Sequence, residues 1–187
     1  MIVGFDFDNT IIDYNNLFGL VALEKNLILK SSAYDKNSVK QYLINVNKED
    51  EWTKLQGEVY GSRVLEANLY EGIIDIFKYL SNNSHKIYIV SHKTKFPYLG
   101  KKVDLHKSAL KFIRANNILN KKDIKLTKDD IFFETSIKDK IERIENLKCD
   151  IFIDDIESIL NLLPDNIVKI LFLPKSSAEK SNYKAIK

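Results

Sequence analysis

Short apolar runs alternating with segments of helical period constrain this chain more than any other feature. MIVGFDFD (1–8), HKIYIVSH (85–92), CDIFIDD (149–155) and NIVKILFLP (166–174) are rich in β-branched and aromatic residues and short enough for strands. A shorter run, DIFFE (130–134), has the same character. Between them lie EGIIDIFKYLSNN (71–83), DLHKSALKFIRANNIL (104–119), IKDKIERIENLK (137–148) and DIESILNLLPD (155–165), which read as helices. Strands alternating with helices of this length predict βαβ units. The expected fold class is α/β, a doubly wound, mainly parallel sheet with helices on both faces.

The interval 14–70 breaks this rhythm. It contains no convincing strand, and three helical stretches fit it: LFGLVALEKNL (17–27), NSVKQYLINV (37–46) and EDEWTKLQGEVYGSRVLEANL (49–69). An insertion of this size after the first strand predicts a small helical module over one edge of the sheet. The expected organisation is an α/β core over 1–13 and 71–174, a helical cap over 14–70, and a polar, lysine-rich tail over 175–187.

Composition narrows the function classes. A hydrophobic fraction of 44% supports a full core, and 29 basic against 26 acidic residues give a net charge of only +3. That is too weak a charge to imply nucleic acid as a partner. One cysteine, Cys149, excludes an internal disulfide and a cysteine-based zinc site. No apolar run approaches the roughly 20 residues of a membrane span, and nothing before the first strand resembles a signal peptide. The expected location is cytoplasmic.

In open α/β sheets, ligands bind beyond the carboxyl ends of the strands. Asp6, Asp8 and Thr10 follow the first strand, Ser91 and His92 end the second, and Asp154 and Asp155 end the CDIFIDD run. Alternate strand positions share a face, so Asp6 and Asp8 are expected side by side while Phe5 and Phe7 point into a core. Two adjacent carboxylates repel each other and lose hydration when covered, which calls for compensation. A divalent cation is the simplest source of it. Helix capping accounts for any one of these residues, Asp155 above all, but capping does not require neighbouring carboxylates.

At these residues the chain resembles a known family. DFDNT (6–10) matches the D-x-D-x-T signature of the haloacid dehalogenase superfamily of phosphohydrolases, IYIVSH its second motif at Ser91, and IFIDD its fourth motif in paired-acid form. For the third motif, a lysine ahead of the fourth strand, Lys138 and Lys140 both fit, with Lys140 preferred. The resemblance implies that Asp6 attacks a phosphate ester to form an aspartyl-phosphate, and that Asp8 acts as general acid and then base. It implies Mg²⁺ held by Asp6, the backbone carbonyl of Asp8 and Asp155, with Asp154 in support. Asn9, Thr10, Ser91, His92 and Lys140 are the implied phosphate contacts. The family's dehalogenases lack the second acid, so the presence of Asp8 favours the phosphatase branch, with a helical cap of the first kind.

Substrate choice is expected to lie in the insertion and in the loop after Ser91. On a helix, Trp52, Leu55 and Val59 form one apolar stripe, read as core, with Gln56, Tyr60 and Arg63 along its flank. Gly57 and Gly61 either admit a close neighbour or mark a helix break. The loop HKTKFPYLGKK (92–102), with Lys93 and three more lysines, is read either as attracting an anionic substrate or as a solvated loop. The expected partner is a small phosphorylated metabolite (a sugar phosphate, a nucleotide or an acid phosphate), not a membrane or a nucleic acid, and the sequence is silent on oligomeric state. A phosphoryl-transferring mutase and a non-catalytic binder of a phosphorylated ligand are the alternatives. The order of the acids argues against a receiver-type phosphoacceptor, and GFDFDNT is no glycine-rich dinucleotide turn.

Overall fold

The computed structural model describes residues 1–29 and 34–174, so the expected tail at 175–187 lies outside the described residues. In chain order the elements begin with β1 (Ile2–Phe5), β2 (Ile12–Asp13), α1 (Asn15–Glu24), α2 (Lys36–Asn45) and α3 (Glu49–Val59). They continue with β3 (Asn68–Leu69), α4 (Ile73–Asn82), β4 (Lys86–His92), α5 (Leu105–Ala115) and β5 (Ile131–Glu134). The last are α6 (Ile137–Asn146), β6 (Ile151–Asp154), α7 (Glu157–Leu160) and β7 (Val168–Leu171). The chain divides into two compact units, one of Met1–Ile11, Tyr70–Lys93 and Asn117 onward, the other of Ile12–Leu69 and Thr94–Asn116. The stretch 94–116, read from sequence as part of the sheet domain, groups with the inserted helices.

The first unit is built on a five-stranded sheet in the order β5-β4-β1-β6-β7, parallel throughout. The chain leaves β1 toward β4 and β5, then returns to the other side of β1 for β6 and β7. The strand order thus reverses beside β1, and the carboxyl ends of β1 and β6 meet at that switch point. Both sheet faces are covered. On one, Phe5 meets Phe77 of α4 edge-on at 5.0 Å, and α4 buries Ile73, Phe77, Leu80 and Ser81 at helical spacing. On the other, Val90 and Phe152 share a core with Ile144 of α6 and Leu160 of α7. Gly4 makes this second face possible, because a Cβ there would fall 2.5 Å from the Phe152 ring.

The second unit packs α1, α2, α3 and α5 with a two-stranded antiparallel ribbon of β2 and β3. Trp52, Leu55 and Val59 of α3 are all buried, and Trp52 stacks on Phe18 at 5.0 Å. Gly57 is buried within α3, where a Cβ would meet Pro97 at 2.7 Å, so it serves close approach. Gly61 lies past the helix end, where a Cβ would meet both Gly57 O and Val103 Cγ1 at 2.5 Å.

Four expectations need correction. The run read as a strand over 1–8 is strand only from Ile2 to Phe5, with Asp6 and Asp8 beyond its end. The helix expected over 49–69 ends at Val59, and a 3₁₀ turn (Val64–Glu66) and β3 follow. β2 and β3, two residues each, are too short for alternation to register in sequence. The helix expected over 155–165 is confined to α7, since the chain tightens into i→i+3 bonds at Leu162 and Leu163 ahead of Pro164. Among the described residues, no helix is long and apolar enough to cross a membrane.

Candidate active site

Asp6 is fixed by backbone before its side chain is considered. Its N–H donates to Ile153 O at 2.8 Å, which carries the β1–β6 ladder one residue past the strand. The carboxylate, nearly enclosed, accepts from Lys140 Nζ at 2.6 Å. Lys140 reaches it from the first turn of α6, which is capped by Ser136, whose hydroxyl accepts from the Asp139 N–H at 3.1 Å. Lys140 and Ile144 lie four residues apart on the buried face of α6, whereas Lys138 is exposed. Of the two lysines left open by the sequence, Lys140 is the one that the structure brings to Asp6.

Lys140 also donates to Asp154 Oδ2 at 2.6 Å, and Asp154 Oδ1 accepts from the Ile156 N–H at 2.9 Å. Asp154 is fully buried at the end of β6, with Asp155 next to it and partly open. Oxygen atoms of Asp6, Asp154 and Asp155 lie within 4.8 Å of one another. Asp8 stands apart from that trio and is held by a different lysine. Lys93 Nζ lies 2.6 Å and 2.9 Å from its two carboxylate oxygens. Each ammonium sits over an aromatic ring, Lys140 at 5.5 Å from the Phe152 centroid and Lys93 at 5.7 Å from Phe7.

Burial drives Asp6 upward to about 8, with Lys140 pulling against it and Asp154, Asp155 and Asp8 pushing the same way. For Lys140, burial works downward, but the carboxylates of Asp6 and Asp154 overcome it and raise the ammonium to about 12. The lysine therefore stays charged through the neutral range. The four carboxyl groups of Asp6, Asp8, Asp154 and Asp155 and the two ammonium groups of Lys93 and Lys140 leave a formal deficit of two positive charges when all are ionised. Hard oxygen donors carrying that deficit suit a hard divalent cation such as Mg²⁺, so the residues present fit the metal.

The other expected site residues divide. Thr10 and Ser91 are both buried at the same strand ends, and Thr10 Oγ1 has no hydrogen-bond partner among the described residues. Asn9 adopts a left-handed backbone (φ 62°) in the turn after Asp8. His92 is exposed and aligned with Glu134 of β5. Lys93, expected from sequence as a candidate specificity residue, is buried with its ammonium on the Asp8 carboxylate. In the second unit, Gln56 is half-buried on α3, and Tyr60 stands edge-on to Tyr14 and Phe18 at 4.8 and 5.6 Å. Arg63 forks between Glu24, at 2.6 and 3.2 Å, and Glu66. All of these contacts lie within the second unit.

The Lys93–Asp8 pair went unread, although its signal was present. Ser91, His92 and Lys93 alternate buried, exposed and buried, as a strand requires, and the Lys93 N–H donates to Glu134 O at 2.7 Å. The strand pattern thus continues one residue beyond β4 and turns Lys93 to the side of Ser91.

No family model matches the chain, and no curated protein matches it in sequence. Solved structures do. A HAD-superfamily hydrolase of subfamily IA from Geobacter sulfurreducens PCA matches at a TM-score of 0.53 and 11% identity, over 92% of this chain and 88% of that one. A protein described as a dehalogenase matches at 0.51 and 11%, over 98% and 91%. A HAD-superfamily hydrolase from Ehrlichia chaffeensis, 20% identical, aligns over 100% of this chain and 90% of that one, at a TM-score of 0.49. At 11% identity the first two likenesses show a shared fold, and the chain has the fold of HAD-superfamily hydrolases.

Proposed function

We propose that this protein is a Mg²⁺-dependent phosphohydrolase that cleaves a small phosphate monoester through an aspartyl-phosphate on Asp6. The observation that carries this reading is a pair of acids two residues apart at the switch point, each held by its own buried lysine. A dehalogenase of the family works with one acid, and the second acid here has a built environment.

In this reading an Asp6 oxygen attacks phosphorus while the bond to the ester oxygen breaks. Asp8 gives its proton to that oxygen, and the alcohol leaves. Water then attacks the phosphorus of the aspartyl-phosphate, Asp8 takes the proton, and orthophosphate departs as Asp6 is restored. Lys140 holds Asp6 in place and spreads positive charge toward the phosphoryl oxygens as charge shifts. Thr10 and Ser91 offer hydroxyls to the same oxygens. Mg²⁺, held by Asp6, Asp155 and the backbone carbonyl of Asp8 with Asp154 alongside, would supply the charge that keeps Asp6 ionised and polarises the phosphoryl group.

Phosphate release from a panel of sugar, nucleotide and carboxylic-acid phosphates, with and without Mg²⁺, tests the reading. Metal-dependent release by the wild type that is lost in Asp6→Asn is the expected result. Release that survives in Asp6→Asn contradicts it.

A further inference from the structure

We propose that Lys93 is a positioning residue: it fixes the Asp8 carboxyl in the orientation needed to deliver a proton to the leaving oxygen. This rests on the phosphohydrolase reading above and gives Lys93, expected from sequence to bear on substrate choice, a role on Asp8.

Asp8 has a problem that Asp6 does not. Asp6 is anchored by the sheet ladder and a nearly closed environment, whereas the Asp8 side chain is 19% exposed and lies beyond the strand, beside the left-handed turn at Asn9. A loop carboxyl left to itself samples several rotamers, and a general acid must be held close to one. Lys93 supplies such a restraint. Its Nζ contacts both Asp8 oxygens, so the carboxyl is held at two points, and its own side chain is only 3% exposed. The backbone behind it is set by the bond from the Lys93 N–H to Glu134 O, and its ammonium packs over Phe7. A solvated loop lysine would show none of this burial, and a lysine committed to Asp8 is poorly placed to choose among substrates. After proton transfer, the same ammonium faces the carboxylate that remains.

Two measurements test the proposal. The first is a thermal-unfolding cycle on metal-free protein with Lys93→Met, Asp8→Asn and the double variant. Coupling is expected, with the double variant melting higher than the two separate losses would predict; additive losses would overturn the pair itself. The second compares kcat/KM, with Mg²⁺ present, for p-nitrophenyl phosphate and glycerol phosphate. The aryl ester has a good leaving group that needs little protonation, while the alkyl ester depends on the acid. Lys93→Met is expected to lose roughly 10²-fold or more on the alkyl ester and less than about tenfold on the aryl ester. Equal losses on both would overturn the positioning role while the enzyme reading stands. If the wild type cleaves neither ester, nor any other in the panel, the phosphohydrolase reading falls and the positioning role falls with it. Should Lys93→Met not fold, Lys93→Arg carries the same comparison, since it keeps the charge but moves the donors.

Discussion

Lys140 Nζ lies 2.6 Å from Asp6 Oδ1 across a sequence separation of 134 residues, and it bonds Asp154 at the same distance. One ammonium thus ties the end of β1 to the end of β6, the two strands that meet at the switch point. Removing it would leave two buried carboxylates facing each other. Lys140→Met should therefore cost about 3–5 kcal/mol of stability in urea unfolding of the metal-free protein, as breaking a buried pair does. Lys138→Met, on the exposed side of α6, should stay within about 0.5 kcal/mol. Equal effects from the two would contradict the assignment of the lysine.

Gly4 is a packing constraint on the sheet. A methyl group there meets the Phe152 ring at 2.5 Å and Cys149 Sγ at 3.1 Å, and an aromatic ring in a packed core has little room to yield. Gly4→Ala should destabilise the fold by about 1–3 kcal/mol in denaturant titration. A neutral result would mean that the second face of the sheet is looser than described.

Cys149 belongs to that same core. Burial, then the nearby Asp150 charge, raises its thiol to about 11. The thiol is the less nucleophilic form, so native protein should react with a disulfide reagent at about pH 8 far more slowly than unfolded protein. Prompt stoichiometric labelling of the folded chain would contradict the burial.

Acid should release a different restraint. Burial pushes the Asp130 carboxyl upward. The opposing bonds from Lys86 and from the Thr127 N–H and hydroxyl, both at 2.9 Å, prevail and hold it below its usual 3.8. A depressed native pKa means stability that is present above the unfolded pKa and lost as pH falls through the native one. Asp130→Ala should cost about 1 kcal/mol near pH 6, and the difference from wild type should shrink below about pH 3. A penalty that does not change with pH would assign the effect to packing alone.

Much of this arrangement is legible in the sequence because it follows from periodicity. The runs at 85–92 and 149–155 became β4 and β6 with their acids and hydroxyl at the carboxyl ends. The face of Lys140 could be read from Ile144 one helical turn on. Three features escaped for physical reasons. β1 stops at Phe5, because strand character in a sequence does not reveal where the ladder gives way to a turn. β2 and β3 carry too few residues to show a period, and the chain beyond Val59 keeps helix-like composition after the helix has ended. The pairing of Lys93 with Asp8 escaped because a lysine in a lysine-rich loop reads as facing substrate or solvent, although its spacing from Ser91 placed it inward.

In the proposed reaction, Asp6 carries the phosphoryl group. The most direct measurement is rapid acid quench of Asp8→Asn during reaction with a cleaved ester, followed by mass spectrometry of the amino-terminal peptide. The expected result is a phosphoryl adduct on Asp6 that is sensitive to hydroxylamine and absent from Asp6→Asn/Asp8→Asn. An adduct on another residue, or ester cleavage with Asp6 unmodified at every time point, would contradict it.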